Sequence, residues 1–144
     1  MNFEKEIIVS FFLIRKLIEA NRISKSIKET KIQLIAFPRT SEQLTNLNHW
    51  DVRELFDLDN PKNVTKSIVF LSNQLIHSLT IFAIRKDKRW NHILTCSDFE
   101  KGKKLYLLSV ENMIKIFEMI AKDRQKGISY TYDGLINDYK IQIQ

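Results

Sequence analysis

The sequence predicts an α+β domain: three main helices packed on a mostly antiparallel sheet, followed by a C-terminal β-hairpin. Three observations carry that prediction. Apolar residues recur at helical spacing over 3–20, 61–77 and 110–124. Short extended runs stand at 31–37, 79–84, 91–96 and 104–109. The last three follow one another closely enough to pair as an antiparallel meander. A chain of 144 residues needs one core, so a single domain over 1–144 is expected.

In the first helix, 3–20, Ile7, Phe11, Ile14 and Ile18 form one stripe. Further apolar residues widen it, so burial on more than one side is expected. Glu4 and Glu6 near its start and Arg15 and Lys16 near its end suit the helix dipole. The strand at 31–37 stops at Pro38. From 38 to 61 the pattern is irregular, with a helical turn near 52–56. This stretch reads either as a lid or as a packed excursion anchored by Trp50, Leu55 and Phe56.

Asn60-Pro61 suits a helix start, because asparagine can cap and proline fits the first helical position. The helix over 61–77 then carries Val64, Ile68, Leu71 and Leu75 on a core face and Lys66, Phe70, Asn73 and His77 on the opposite one. Ser109 is placed to cap the 110–124 helix, whose Met113, Ile116, Phe117 and Ile120 supply its apolar face. After Gly127, the runs 128–132 and 139–143 make the hairpin. Either Asp133-Gly134 or Asn137-Asp138 can supply its turn.

Composition narrows the function classes. Apolar residues make up 44% and charged residues 28%, ordinary globular values that argue against disorder. The longest apolar stretch, 7–14, falls far short of the roughly 20 residues that a membrane span needs. Glu4, Lys5 and Glu6 do not fit the start of a secretory signal, so a cytoplasmic protein with no membrane association is expected. The single Cys96 has no partner for an internal disulfide and reads as a small strand residue. A net charge of +6 and a pI near 9.4 favour the approach of an anionic partner.

Asn73 and His77 stand four residues apart, so one helical face presents both. An imidazole takes or gives a proton near physiological pH and an amide can position a substrate, which makes these two the candidate catalytic residues. The structural alternative has His77 bonding a free carbonyl at the helix C-terminus while Asn73 fills a polar gap.

The segment Leu-Ser-Asn-Gln-Leu-Ile-His-Ser, 71–78, resembles the signature helix of the HEPN superfamily: Arg-Asn, three variable residues, then His. Asn73 and His77 match the pattern, and Ser72 stands at the arginine position. The resemblance covers about residues 60–78. It implies metal-independent RNA cleavage, with paired motifs meeting across a dimer interface in a helical bundle. Serine cannot neutralise phosphate charge as arginine does, and strands after Leu79 depart from a bundle.

The meander brings the 97–103 connection near His77. Lys101, Lys103 and Lys104 are therefore expected either as phosphate contacts in place of the arginine or as a solvated basic turn. Arg85, Lys86, Lys88 and Arg89, followed by Trp90, belong at the opposite tip. Cations beside an aromatic combine phosphate attraction with base stacking, or else make an ordinary polar hairpin loop. His49, His77 and His92 lack a metal-ligand spacing and one Cys completes no zinc set, so no metal or other cofactor is expected. Neither a glycine-rich phosphate loop nor a nucleophile elbow occurs.

The leading expectation is an RNA-directed protein, either a HEPN-like ribonuclease or a degenerate RNA binder, with RNA or another polyanion as partner. The alternative is a non-catalytic protein-interaction module. That module would form a homodimer through the Phe70 side of the central helix or through the last strand edge.

Overall fold

Each main helix begins on a side-chain cap. The N–H of Lys5 donates to Asn2 Oδ1 at 3.3 Å, that of Phe70 to Ser67 Oγ at 3.1 Å, and that of Asn112 to Ser109 Oγ at 3.1 Å. The computed structural model describes residues 2–40, 51–98, 103–123 and 128–143. In chain order these form α1 (Phe3–Glu19), α2 (Lys25–Lys28), β1 (Lys31–Pro38), α3 (Val52–Leu55), β2 (Lys62–Ser67), α4 (Ile68–Ile76), β3 (Ser78–Lys86), β4 (Arg89–Ser97), β5 (Lys104–Ser109), α5 (Val110–Ala121), β6 (Ile128–Asp133) and β7 (Asp138–Ile143).

The α+β architecture is as expected: three main helices pack on a five-stranded antiparallel sheet of order β2-β1-β5-β4-β3, with β6 and β7 as a separate two-stranded hairpin. Alternation along the strands sends Ile32, Leu34, Ala36, Ile93, Tyr106 and Leu108 to the face that the helices cover. There they meet Ile7, Phe11 and Ile14 of α1, Ile68, Leu71 and Leu75 of α4, and Met113 and Ile116 of α5. On the other face a smaller cluster buries Phe37, Cys96 and Leu105 under Leu55 and Phe56. Those two residues anchor the second half of the 38–61 excursion, tied back by Thr40 N–H to Leu55 O at 2.8 Å and Asp57 N–H to Pro38 O at 2.9 Å. Trp50 lies outside the described residues.

The helix expected over 61–77 is a strand followed by a shorter helix. Residues Lys62–Ser67 pair with β1 from Ala36↔Lys62 to Lys31↔Ser67. The spacing Val64–Ile68 fits a continuous helix, and it equally fits a strand residue and the first helical residue after a turn at Ser67. Two β-branched residues, Val64 and Thr65, favour the strand, and the pairing satisfies backbone groups of β1 that would otherwise lie on an open edge. Ser67, not Asn60-Pro61, therefore starts the helix, and Lys66 sits on β2 with its ammonium 4.7 Å from the centre of the Phe70 ring.

Two differences concern α1. It is buried on one side only within the protomer: Ile7, Phe11 and Ile14 face the core, while Val9, Phe12, Leu13 and Leu17 are 49%, 48%, 57% and 39% exposed. Its end is also shaped by Asn21, which adopts a left-handed φ of 56°. Around it Asn21 N–H donates to Ile18 O at 3.1 Å and Arg22 N–H to Leu17 O at 2.8 Å, the paired bonds of a Schellman stop. Beyond that stop, Ser24 donates from both N–H and Oγ–H to the carboxylate of Asp123, at 2.8 and 2.5 Å, which ties the exit of α1 to the exit of α5.

The hairpin uses both of its turn signals. Asp133↔Asp138 is the last pair, Asn137 takes a φ of 53°, and Asp133 Oδ1 accepts from Leu135 N–H at 2.9 Å. Lys140, 2.7 Å from Asp133, and then the Leu135 N–H hold the Asp133 carboxyl below its ordinary value.

The left-handed site at Asn21 generates a prediction. Asn21→Val should lower unfolding free energy by about 1–2 kcal/mol, because a β-branched residue clashes there. Urea denaturation reads the change, and Asn21→Gly should at least match the wild type.

Candidate functional site

The α4 C-terminus carries the candidate chemistry. Helix α4 is nine residues long and buries Ile68, Leu71, Ser72, Gln74 and Leu75. His77 is its C-cap, with its N–H donating to Asn73 O at 3.1 Å, and its side chain is exposed. Asn73 is half-buried one turn earlier. Ser72 is fully buried and donates from Oγ to Ile68 O at 2.9 Å. A side chain at this position therefore points into the core, away from any phosphate approaching His77.

The connection after β4 reaches the same end of the molecule, where Asp98 N–H donates to His77 O at 3.0 Å. Lys101 lies outside the described residues. Lys103 and Lys104 are exposed, and Lys103 O accepts from Arg39 N–H at 3.3 Å. Ser78, the residue after His77, pairs with Ser97. Continuing the β4–β5 register by two pairs sets Lys104 level with Ser97. Two strand spacings, about 10 Å, thus separate the Lys104 backbone from the β3 residue that follows His77. A lysine side chain spans much of that gap, so His77 and Lys104 can address one extended anion but not share one oxygen.

Arg85, Lys86, Lys88 and Arg89 are exposed at the other end of the sheet, around a two-residue turn in which Asp87 and Lys88 have φ of 52° and 65°. Trp90 does not offer an open stacking surface. Its ring stacks on Phe3 with centroids 4.7 Å apart and planes 5° from parallel, and the Arg85 guanidinium lies 4.7 Å from the ring centre. Together with Glu4 Oε1, which accepts from Ala83 N–H at 3.4 Å, this stack clamps the first turn of α1 to the β3–β4 hairpin. The sequence-derived site residues therefore form two groups at opposite ends of the sheet, and the structure does not bring them together.

An open cleft of about 550 Å³ beside α3 is lined by Arg39, Arg53, Asp57 and Asp59, a mixed-charge wall with no sign preference. Among the described residues no group of His, Cys, Asp and Glu converges as metal ligands, and no helix is long and apolar enough to cross a membrane. The Phe70 side of α4 is occupied within the protomer, since the Phe70 ring meets Tyr106 edge-on at 5.4 Å and lies under Lys66.

The feature that site reasoning passed over is the outward side of α1. Val9, Phe12, Leu13 and Leu17 follow i, i+3, i+4, i+8 spacing opposite the buried stripe. Lys16 lies within the arc of these four, where it pairs with Glu19 at 3.1 Å and sits 5.5 Å from the centre of the Phe12 ring. That ion pair, led by the Lys16 hydrogen bond, lowers the Glu19 pKa. The sequence signal was present as the widened stripe, but periodicity alone does not say which side a protomer leaves open. Comparison of the chain with protein-family models, curated proteins and solved structures finds no match.

The Phe3–Trp90 stack generates a prediction. Trp90→Ala should lower stability by about 1–2 kcal/mol. In a double-mutant cycle with Phe3→Ala the coupling should be about 0.5–1.5 kcal/mol, and additive losses in urea denaturation would show that the clamp contributes nothing.

Proposed function

We propose that this chain is a non-catalytic protein-interaction module whose contact surface is the outward side of α1. One observation carries the reading: Val9, Phe12, Leu13 and Leu17 form a contiguous apolar stripe in water, on a helix whose opposite side already fills the core. Scattered exposed apolar residues are ordinary, whereas several gathered on one helix face mark a surface that a partner covers.

A photo-crosslinking residue placed at Leu13 in the full chain tests this in cell extract. A discrete higher-mass adduct is expected. Phe12→Ser/Leu13→Ser should abolish partner binding while shifting unfolding free energy by no more than about 0.5 kcal/mol per site, as surface substitutions do. Absence of any adduct, or a variant that unfolds, contradicts the reading.

A second reading, RNA-directed activity of HEPN-like type, is favoured by the exposed imidazole of His77 at the same end as Lys103 and Lys104. Because Ser72 faces the core, phosphate charge would be met by those lysines. Incubation with single-stranded and structured RNA in chelator separates the two readings. Cleavage that His77→Ala removes without lowering the melting temperature selects the RNA-directed reading; the interaction-module reading predicts no cleavage by wild type.

A further inference from the structure

The hairpin β6–β7 is amphipathic. Its cross-strand pairs alternate between Ile128↔Ile143, Tyr130↔Ile141 and Tyr132↔Tyr139 on one set of positions and Ser129↔Gln142, Thr131↔Lys140 and Asp133↔Asp138 on the other. Successive pairs occupy opposite faces, so among the described side chains Tyr132, Tyr139 and Ile141 share one face while Thr131, Asp133, Asp138 and Lys140 take the other. A two-stranded hairpin alone is at best marginally stable in water. Yet Tyr132, Tyr139 and Ile141 are 55%, 59% and 42% exposed, and Leu135 and Ile136 at the loop are 97% and 58% exposed. Among the described residues, two apolar surfaces thus stand uncovered, the outward stripe of α1 and one face of the hairpin.

We propose that these surfaces cover each other between two copies of the chain, each hairpin lying along α1 of the other copy in a two-fold dimer. The proposal rests on the interaction-module reading and names its partner as a second copy. Length fits: six strand residues span about 20 Å, and the stripe from Val9 to Leu17 runs about 12 Å along the helix. Area fits as well. Half-exposed side chains of this kind present on the order of 80–100 Å² each, so the four on α1 and five on the hairpin offer roughly 800 Å² per protomer, the share each partner gives to a standard interface.

Connection fits too. The hairpin follows Asp123, which Ser24 holds beside the exit of α1. The five steps from Asp123 to Ile128 reach at most about 18 Å. With the two α1 helices antiparallel about the two-fold axis, each hairpin starts at the far end of the partner's stripe and runs along it. Both halves of the contact occur in one chain, so no other protein is needed to cover either surface.

Sedimentation velocity of the full chain tests this with three variants. Wild type is expected as a dimer. Leu13→Glu on α1 and Tyr139→Lys on the hairpin should each weaken self-association by about a hundredfold or more, since each removes two central contacts per dimer. Because Tyr139→Lys also disturbs the hairpin's own packing, Leu135→Asp/Ile136→Asp, which leaves the strand pairs intact, should weaken it in the same direction.

Mixing Leu13→Glu with Tyr139→Lys restores one of the two contacts and should yield a heterodimer weaker than the wild-type dimer and tighter than either variant alone. A monomeric wild type, a dimer unaffected by the hairpin substitutions, or a mixture with no heterodimer overturns the proposal. A monomeric wild type that still gives a Leu13 adduct with a different protein overturns the second-copy partner alone and leaves the interaction-module reading standing.

Discussion

Helix α1 has two apolar sides and the protomer covers one of them. The inward residues Ile7, Phe11 and Ile14 are needed to close the core over the sheet, so the helix cannot rotate to hide Val9, Phe12, Leu13 and Leu17 without exposing a comparable area. Both ends are fixed as well. The Phe3–Trp90 stack and the Glu4 contact to Ala83 hold its start on the β3–β4 hairpin, and the paired bonds around Asn21 stop it beside the Ser24–Asp123 tie. A rigidly held apolar surface facing water is the condition from which the interaction reading follows.

The same clamp bears on the electrostatic picture. With Phe3 and Arg85 lying over its indole, Trp90 is part of what positions α1, and Lys86, Lys88 and Arg89 around the tip are left as exposed charges. At the other end, the α4 C-terminus keeps an exposed imidazole, but the adjoining Ser72 is a core residue bonded to the preceding turn. The helix thus presents His77 and the half-buried Asn73 on a frame whose Ser72 is turned inward. Among the described residues, Asp98 stands beside His77 and Lys104 of β5 lies two strand spacings away.

Much of the fold was legible in the sequence because its signals were local. Ser109 caps α5 as its position suggests, the meander runs through the expected segments, and the hairpin forms with both of its turn dipeptides at the ends of one loop. The helix over 61–77 was misread because Val64 and Ile68 sit at a spacing that both a helix and a strand-turn-helix produce. Pairing with β1, a non-local contact, decides between them. Burial of α1 on more than one side was half legible: the apolar residues are there, but which side the protomer covers depends on where α4 and β3 pack. The sequence brought Lys104 and His77 to one end through strand order alone, whereas the loss of Trp90 as a stacking surface depended on Phe3, distant in the chain.

Hydrogen exchange measured across a dilution series reads directly whether a second copy covers the outward side of α1 and the apolar face of the hairpin. Amides of β6 and β7 should be protected at high protein concentration and lose that protection on dilution, while those of α4 and β4 exchange at a constant slow rate. Hairpin exchange that is independent of concentration would contradict the account.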